Sequence, residues 1–321
     1  VTTIVPADVE AIARAAEVLR EGGLVAFPTE TVYGLGADAG SARATAKIYA
    51  AKGRPSFNPL IVHLADLSSA LREAKLPPPA LRLAHAFWPG PLTLVAPALP
   101  ACSVCDLARA GLETIALRVP AHPVAAALLR AFAGPIVAPS ANISGHVSPV
   151  TAEHVAADLA GKVDMILDGG KTPAGLESTI VSFAEEHPRL LRPGAIARAD
   201  IEVVLGEKLA GVSHDETQII APGMTTSHYA PHARLRLNAQ GLEPGEAGLD
   251  FGGFYGPDAR SSHFILDLSP RGDLIEAAAN FFSYLRAFDA HGAARVAVAP
   301  IPQHGLGEAI NDRLRRAASP R

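Results

Sequence analysis

The chain is short of the residues that staple a fold or anchor it in a bilayer. Its two cysteines, Cys102 and Cys105, stand two positions apart with no second pair to complete a four-thiolate metal site. They read as free thiols and argue against a disulfide-built scaffold. No apolar run approaches the roughly 18 to 20 residues of a membrane span. Residues 1–10 lack the charged and apolar regions of a secretory signal, so a cytoplasmic protein without a membrane partner is expected. Positive charge is also scarce: a formal charge of −4 speaks against a general nucleic-acid coat and leaves local cationic clusters as the place to look for anion binding. The common nucleotide and hydrolase signatures are missing too. There is no Gly-x-x-x-x-Gly-Lys-Ser/Thr loop, no Gly-x-Gly-x-x-Gly opening a helix, no His-Glu-x-x-His and no Gly-x-Ser-x-Gly.

What the chain does have is apolar content, 49% over 321 residues, enough for two compact domains with separate cores. Helical spacing over 7–20 stops at Gly22-Gly23 before a strand at 24–27, and Ser41 is placed to cap a helix running to 51. Further strands are expected at 60–64, 92–96, 114–119, 136–138, 165–167, 179–183 and 189–191, with helices at 79–87, 123–131 and 152–159. This order predicts an α/β protein with a mixed, twisted sheet covered by helices over residues 1–205. Residues 206–233, rich in Gly, Thr, Ser, His and Pro, read as a linker. Residues 234–321 then predict a small Rossmann-like parallel α/β domain, with strands at 234–237, 248–251, 264–268 and 295–300 and helices at 272–290 and 306–318.

Five segments at the ends of apolar runs carry the chemistry. Lys52-Gly53-Arg54-Pro55-Ser56-Phe57-Asn58-Pro59-Leu60 presents two cations from a turn that Gly53 and Pro55 force out of the helix, a pattern suited to a solvated anion site. Lys52, Arg54, Arg118 and Arg192 would together match the charge of a triphosphate and of a departing pyrophosphate. Ser140, Asn142 and Ser144 alternate after the 136–138 strand, either as ligand-binding hydroxyls and amide or as turn formers. Thr31 and Ser178 set small hydroxyls at strand ends. His63 interrupts the apolar run 60–64, as a satisfied core residue or as a working imidazole.

Pro28 to Gly36, Lys52 to Leu60, Ser140 to Gly145, Glu177 to Val181 and Arg192-Pro193-Gly194 resemble, in order and spacing, the YrdC-like domain of L-threonylcarbamoyladenylate synthases. His228-Tyr229-Ala230-Pro231 and Gly305-Leu306-Gly307-Glu308-Ala309-Ile310-Asn311-Asp312-Arg313 are similar to the longer, two-domain form, so the resemblance covers nearly the whole chain. It implies an enzyme that joins L-threonine, bicarbonate or carbon dioxide, and ATP into threonylcarbamoyl-AMP, releasing pyrophosphate, for N6-threonylcarbamoyladenosine modification of tRNA. It further implies Thr31, His63, Arg118, Ser140 and Ser178 as the threonine set. Lys52, Arg54, Asn58, Thr114, Asn142, Ser148, Val150 and Arg192 form the implied ATP set, with Tyr229 and His228 closing over the nucleotide from the linker. Lys52 and Arg54 carry the catalytic expectation. Mg²⁺ is expected with ATP and no dedicated protein metal site, since hydrated Mg²⁺ on phosphates needs few protein ligands. Threonylcarbamoyl-transfer proteins that consume the product are the conceivable macromolecular partners, and no stable nucleic-acid binding is expected. The alternative from another class is an RNA-binding module using the cationic concavity. A carbamoyltransferase of the hydrogenase-maturation type would need acylphosphatase and zinc-finger segments that the chain lacks.

Overall fold

The computed structural model describes residues 2–211 and 229–319. The first part runs β1 (Thr3–Pro6), α1 (Val9–Arg20), β2 (Val25–Pro28), β3 (Tyr33–Asp38), α2 (Ala42–Lys52), β4 (Ile61–His63), α3 (Leu67–Glu73), α4 (Pro78–Phe87), β5 (Leu92–Pro97) and β6 (Thr114–Arg118). It continues through α5 (Pro123–Phe132), β7 (Ile136–Val137), α6 (Ala152–Leu159), β8 (Met165–Asp168), β9 (Thr179–Ser182), β10 (Arg189–Arg192) and α7 (Arg198–Leu205). The strands form one ten-stranded mixed sheet, ordered β1-β8-β2-β3-β7-β4-β6-β5-β9-β10. Alternation along β2 divides the core between the two faces. Ala26 packs toward the side covered by α2, α4, α6 and α7, while Val25 and Phe27 pack under α1 and α5.

The second part runs β11 (Arg234–Arg236), β12 (Ala247–Asp250), α8 (Gly256–Ser262), β13 (Ile265–Asp267), α9 (Leu274–His291), β14 (Arg295–Val298) and α10 (Gly307–Ala318). Its four strands are all parallel, in the order β11-β14-β12-β13. No helix among the described residues is long and apolar enough to cross a membrane.

The α/β class and the two successive sheets follow the expectation from sequence; several details do not. Residues 29–36 read in sequence as the loop after the 24–27 strand, yet Tyr33–Asp38 is a strand antiparallel to β2. Its glycines mimic a turn, but at Gly36 a Cβ would lie 2.8 Å from the Phe27 ring, so glycine there serves close packing between strands. The edge strand β1 and the short helices α3, α7 and α8 were not foreseen. Each is too brief for its periodicity to register.

The two parts also share apolar packing. Val32, Val147, Val150 and Leu176 of the first belong to the same buried cluster as Phe281, Phe282 and Ile310 of the second.

Candidate active site

β4 and β6 run parallel with His63 opposite Arg118, so both side chains leave one face of the sheet at neighbouring strand ends. Beyond β5, Ser178 immediately precedes β9 and Arg192 closes β10, where the register sets Arg192 opposite Ile180. A Cβ at Gly194 would lie 2.5 Å from the Glu177 carbonyl oxygen and from the Thr179 nitrogen. Glycine therefore lets the Arg192-Pro193-Gly194 turn press against the Glu177-Ser178-Thr179 backbone.

These ends wall an open recess of about 480 Å³, a volume that includes the solvent space in front of it. Thr31, His63, Arg118, Ser140 and Ser178, the residues expected to bind an amino acid, all line it. Arg54, Arg192 and Tyr229 of the expected nucleotide set line it as well. Arg54, Arg118 and Arg192 are only 8%, 3% and 4% exposed, so three guanidiniums converge on a recess and not on an open surface.

Each arginine is held by named acceptors. The Arg54 Nη2 donates to the Pro59 carbonyl at 3.1 Å and its Nε to the Asn58 carbonyl at 3.4 Å. Burial lowers its pKa to about 10, which leaves it protonated at neutral pH. Arg118 donates to Glu30 Oε1 at 2.6 Å, and the Ala121 N–H occupies Glu30 Oε2 at 3.0 Å. Arg192 donates twice to the Ser178 carbonyl, at 2.9 and 3.1 Å, and once to the Ser178 hydroxyl at 3.1 Å; burial lowers its pKa too. That hydroxyl also meets Thr93 Oγ1 at 2.7 Å.

His63 is fully buried, and its Nδ1 lies 3.2 Å from the Ile61 carbonyl. A carbonyl only accepts, so Nδ1 carries the proton and Nε2 keeps a lone pair. Burial, reinforced by Arg118, lowers the His63 pKa to about 3. In the unfolded chain the imidazole takes up a proton below about pH 6.5. The native one does so only near 3, hence the unfolded state binds more protons in that interval and stability falls as pH drops through it. His63→Gln is therefore expected to flatten the acid limb of the unfolding free energy between pH 6.5 and 3, measured by denaturant titration. An unchanged slope would contradict the buried neutral imidazole.

Lys52 departs from expectation. It is 2% exposed, not solvated, and its ammonium donates to the carbonyls of Ser140, at 2.6 Å, and of Asn142. Burial, with Arg54 nearby, holds its pKa well below the usual value. Its observed work is to brace the Ser140–Asn142 loop from behind the cavity wall.

Asn142 Nδ2 donates to the carbonyls of Ile143, at 3.0 Å, and His146, at 2.8 Å, which fixes the amide orientation. Its Oδ1, like that of Asn58, is buried without a hydrogen-bond partner among the described residues. Neither Asn58 nor Asn142 is among the residues that line the cavity, although their carbonyls accept from Arg54 and Lys52.

Thr114, Ser148 and Val150 are not part of the cavity lining. Thr114 begins β6, two positions before the Ala116 that pairs with Ile61, so it stands at the strand end nearer Asn58 and Pro59. Ser148 spends its hydroxyl on Glu177 Oε1 at 2.7 Å. The Val150 N–H donates to His154 Nδ1 and its carbonyl accepts from Thr172, so the expected backbone contact is already committed within the fold. His228 lies outside the described residues. No group of three or more His, Cys, Asp or Glu side chains among the described residues is arranged to hold a metal ion.

Three contributors were not singled out from sequence. Glu30 pairs with Arg118, Glu177 lines the cavity, and Arg313 of α10 donates to Glu177 Oε2 at 3.1 Å. Each lay inside a quoted motif, but its partner is 88, 29 or 136 positions away. Burial pushes the Glu177 carboxyl up, yet the guanidiniums of Arg313 and Arg192 outweigh it and hold the pKa below the usual carboxylate value.

A mixed sheet whose strand-end loops gather guanidiniums, small hydroxyls and a neutral imidazole in one recess forms an α/β site suited to small anionic ligands. The family model described as "Telomere recombination" matches residues 17–194, and that described as "Threonylcarbamoyl-AMP synthase, C-terminal domain" matches 196–319. The chain is 44% identical to the threonylcarbamoyl-AMP synthase of Bacillus subtilis over 97% of its own length and 93% of that protein. It is 43% identical to the synthase of Pyrococcus abyssi over 95% and 93%. The crystal structure of P. abyssi Sua5 complexed with L-threonine superposes with a TM-score of 0.88 at 39% identity, covering 99% of this chain and 97% of that one. The chain belongs to the two-domain threonylcarbamoyl-AMP synthase family.

Proposed function

We infer that the protein is a nucleotidyltransferase that makes threonylcarbamoyl-AMP and pyrophosphate from L-threonine, bicarbonate and ATP, the activated group then serving N6-threonylcarbamoyladenosine formation in tRNA. The observation that carries this is the convergence of Arg54, Arg118 and Arg192 with Thr31, His63, Ser140 and Ser178 on one recess, in a chain of this family.

The task is to bring two anions together. Bicarbonate takes up a proton and releases water to give carbon dioxide, whose carbon bonds to threonine's neutral amine, and the proton lost from nitrogen returns to solvent, giving a carbamate. A carbamate oxygen then bonds to the α-phosphorus while the bond to the β-phosphate oxygen breaks and pyrophosphate leaves. Arg118 is suited to the threonine carboxylate. The Glu30 carboxylate shares that guanidinium, fixing its plane and tempering its charge. His63 Nε2, unprotonated at neutral pH, can accept from the threonine hydroxyl or ammonium. Arg54 and Arg192, short of water, can neutralise charge as it moves onto the departing pyrophosphate. Mg²⁺, where it accompanies ATP, would shield the phosphate oxygens. Asn58 and Asn142 Oδ1 are acceptors fit for its water shell or for nucleotide donors, and the nearby carboxylates Glu30 and Glu177 are committed to arginines.

In this account residues 1–205 form the catalytic unit and 206–233 a lid that brings Tyr229 over the nucleotide. Support comes from Tyr229 lining the recess with a left-handed φ of 64°, its ring stacked on Phe282 with centroids 5.6 Å apart. The cations sit in a recess, which suits a small triphosphate and disfavours an RNA helix needing an exposed surface. The test is pyrophosphate release from ATP with threonine and bicarbonate omitted in turn. Release that requires both is expected, and release that needs neither would overturn the proposal.

A further inference from the structure

We propose that Arg313, carried by α10 of the second domain, is a positioning residue for the nucleotide half of the cavity. It holds the Glu177 carboxylate and the ring face of Tyr229, and so makes the second domain a working wall of the site. This rests on the functional reading above and adds to it a residue and a role for the second domain.

Arg313 is fully buried, the bulkiest such side chain among the described residues. Its Nε donates to Glu177 Oε2 at 3.1 Å, and its Nη1 to the Pro193 carbonyl at 2.7 Å and to Asp312 Oδ2 at 2.8 Å. Pro193 follows the cavity arginine Arg192, so one guanidinium ties down both sides of the Glu177/Arg192 wall. Its centre stands 5.4 Å from the centroid of the Tyr229 ring, within reach of a cation–π contact. Phe282 stacks on the same ring. Tyr229 and Glu177 both line the cavity, and Arg313 reaches it through them. A clasp between domains would not need these partners, for Arg198 with Glu308 at 2.6 Å already joins α7 to α10 away from the recess. Nη2 of Arg313 is buried with no hydrogen-bond partner among the described residues.

Arg313→Gln removes the charge and the fork. In the full-length chain its KM for ATP is expected to rise at least about tenfold. Threonine affinity, measured by calorimetry without nucleotide, should change by less than about threefold, because the hydrogen bonds of Arg313 reach none of Thr31, His63, Arg118, Ser140 or Ser178. Arg313→Lys keeps the charge without the bidentate plane and should recover part of the loss. Should Arg313→Gln fail to fold, Arg313→Lys, which keeps a cation beside Glu177, carries the test, with a smaller rise in KM for ATP expected and an unmoved KM overturning the inference. Arg198→Ala serves as the clasp control, with KM for ATP unchanged. An unmoved KM for ATP in Arg313→Gln, or an equal rise in Arg198→Ala, overturns the inference while wild-type activity stands. A wild-type chain without threonine-dependent pyrophosphate release fails the functional reading instead.

Discussion

Arg54→Ala lowers threonine- and bicarbonate-dependent pyrophosphate release by at least about 100-fold. A donor fixed toward charge that develops in the transition state typically contributes that much, because in a recess shielded from water its field is not dissipated. Arg54 meets both conditions. It is almost wholly buried, it lines the cavity, and two carbonyls of its own loop, Asn58 and Pro59, hold its plane. Arg54→Lys, with charge but no fork, should fall between wild type and alanine. The fold should survive, since the loop 53–60 makes its remaining bonds without the side chain, among them the Leu60 N–H to the Ala108 carbonyl at 2.9 Å. Steady-state kinetics alongside a thermal melt checks both halves. A folded Arg54→Ala protein turning over normally would remove this arginine from the chemistry.

Truncation after residue 205 should abolish or sharply reduce synthesis. It removes Tyr229 from the recess and Arg313 from Glu177, leaving the carboxylate with Arg192 alone of the two guanidiniums that offset its burial. It also uncovers Val32, Val147, Val150 and Leu176, whose packing is completed by the second domain. The loss should therefore appear both as weaker ATP use and as a lower melting temperature. A truncated protein with unaffected synthesis would refute the lid and with it the contribution assigned to Tyr229.

Much of the site could be read from sequence because its residues sit in short segments where Gly and Pro break regular structure. The turn at Arg192-Pro193-Gly194 and the hydroxyls at Thr31 and Ser178 announce themselves locally, and strand ends gather such loops by the geometry of the sheet. Burial was not legible in the same way. Lys52 looks solvated in sequence because the Ser140 carbonyl that accepts its hydrogen bond is 88 positions away. Ser148 reads as a ligand residue in sequence, while its tie to Glu177, 29 positions away, does not show there. Arg313 was visible as part of a closing signature, yet its role depends on Glu177, on Pro193 and on the side of Tyr229 it faces, none of which a local pattern encodes. In the fold, β3 was hidden by glycines that serve packing and not turning.

The central claim is that one recess brings an amino acid and a nucleoside triphosphate together, and a structure of the full-length chain with L-threonine and a non-hydrolysable ATP analogue tests it most directly. Threonine should lie against His63, Arg118 and Ser178, with the triphosphate against Arg54 and Arg192 and its α-phosphorus facing the threonine nitrogen. Nucleotide density elsewhere on the molecule, with the recess holding threonine alone, would contradict the account.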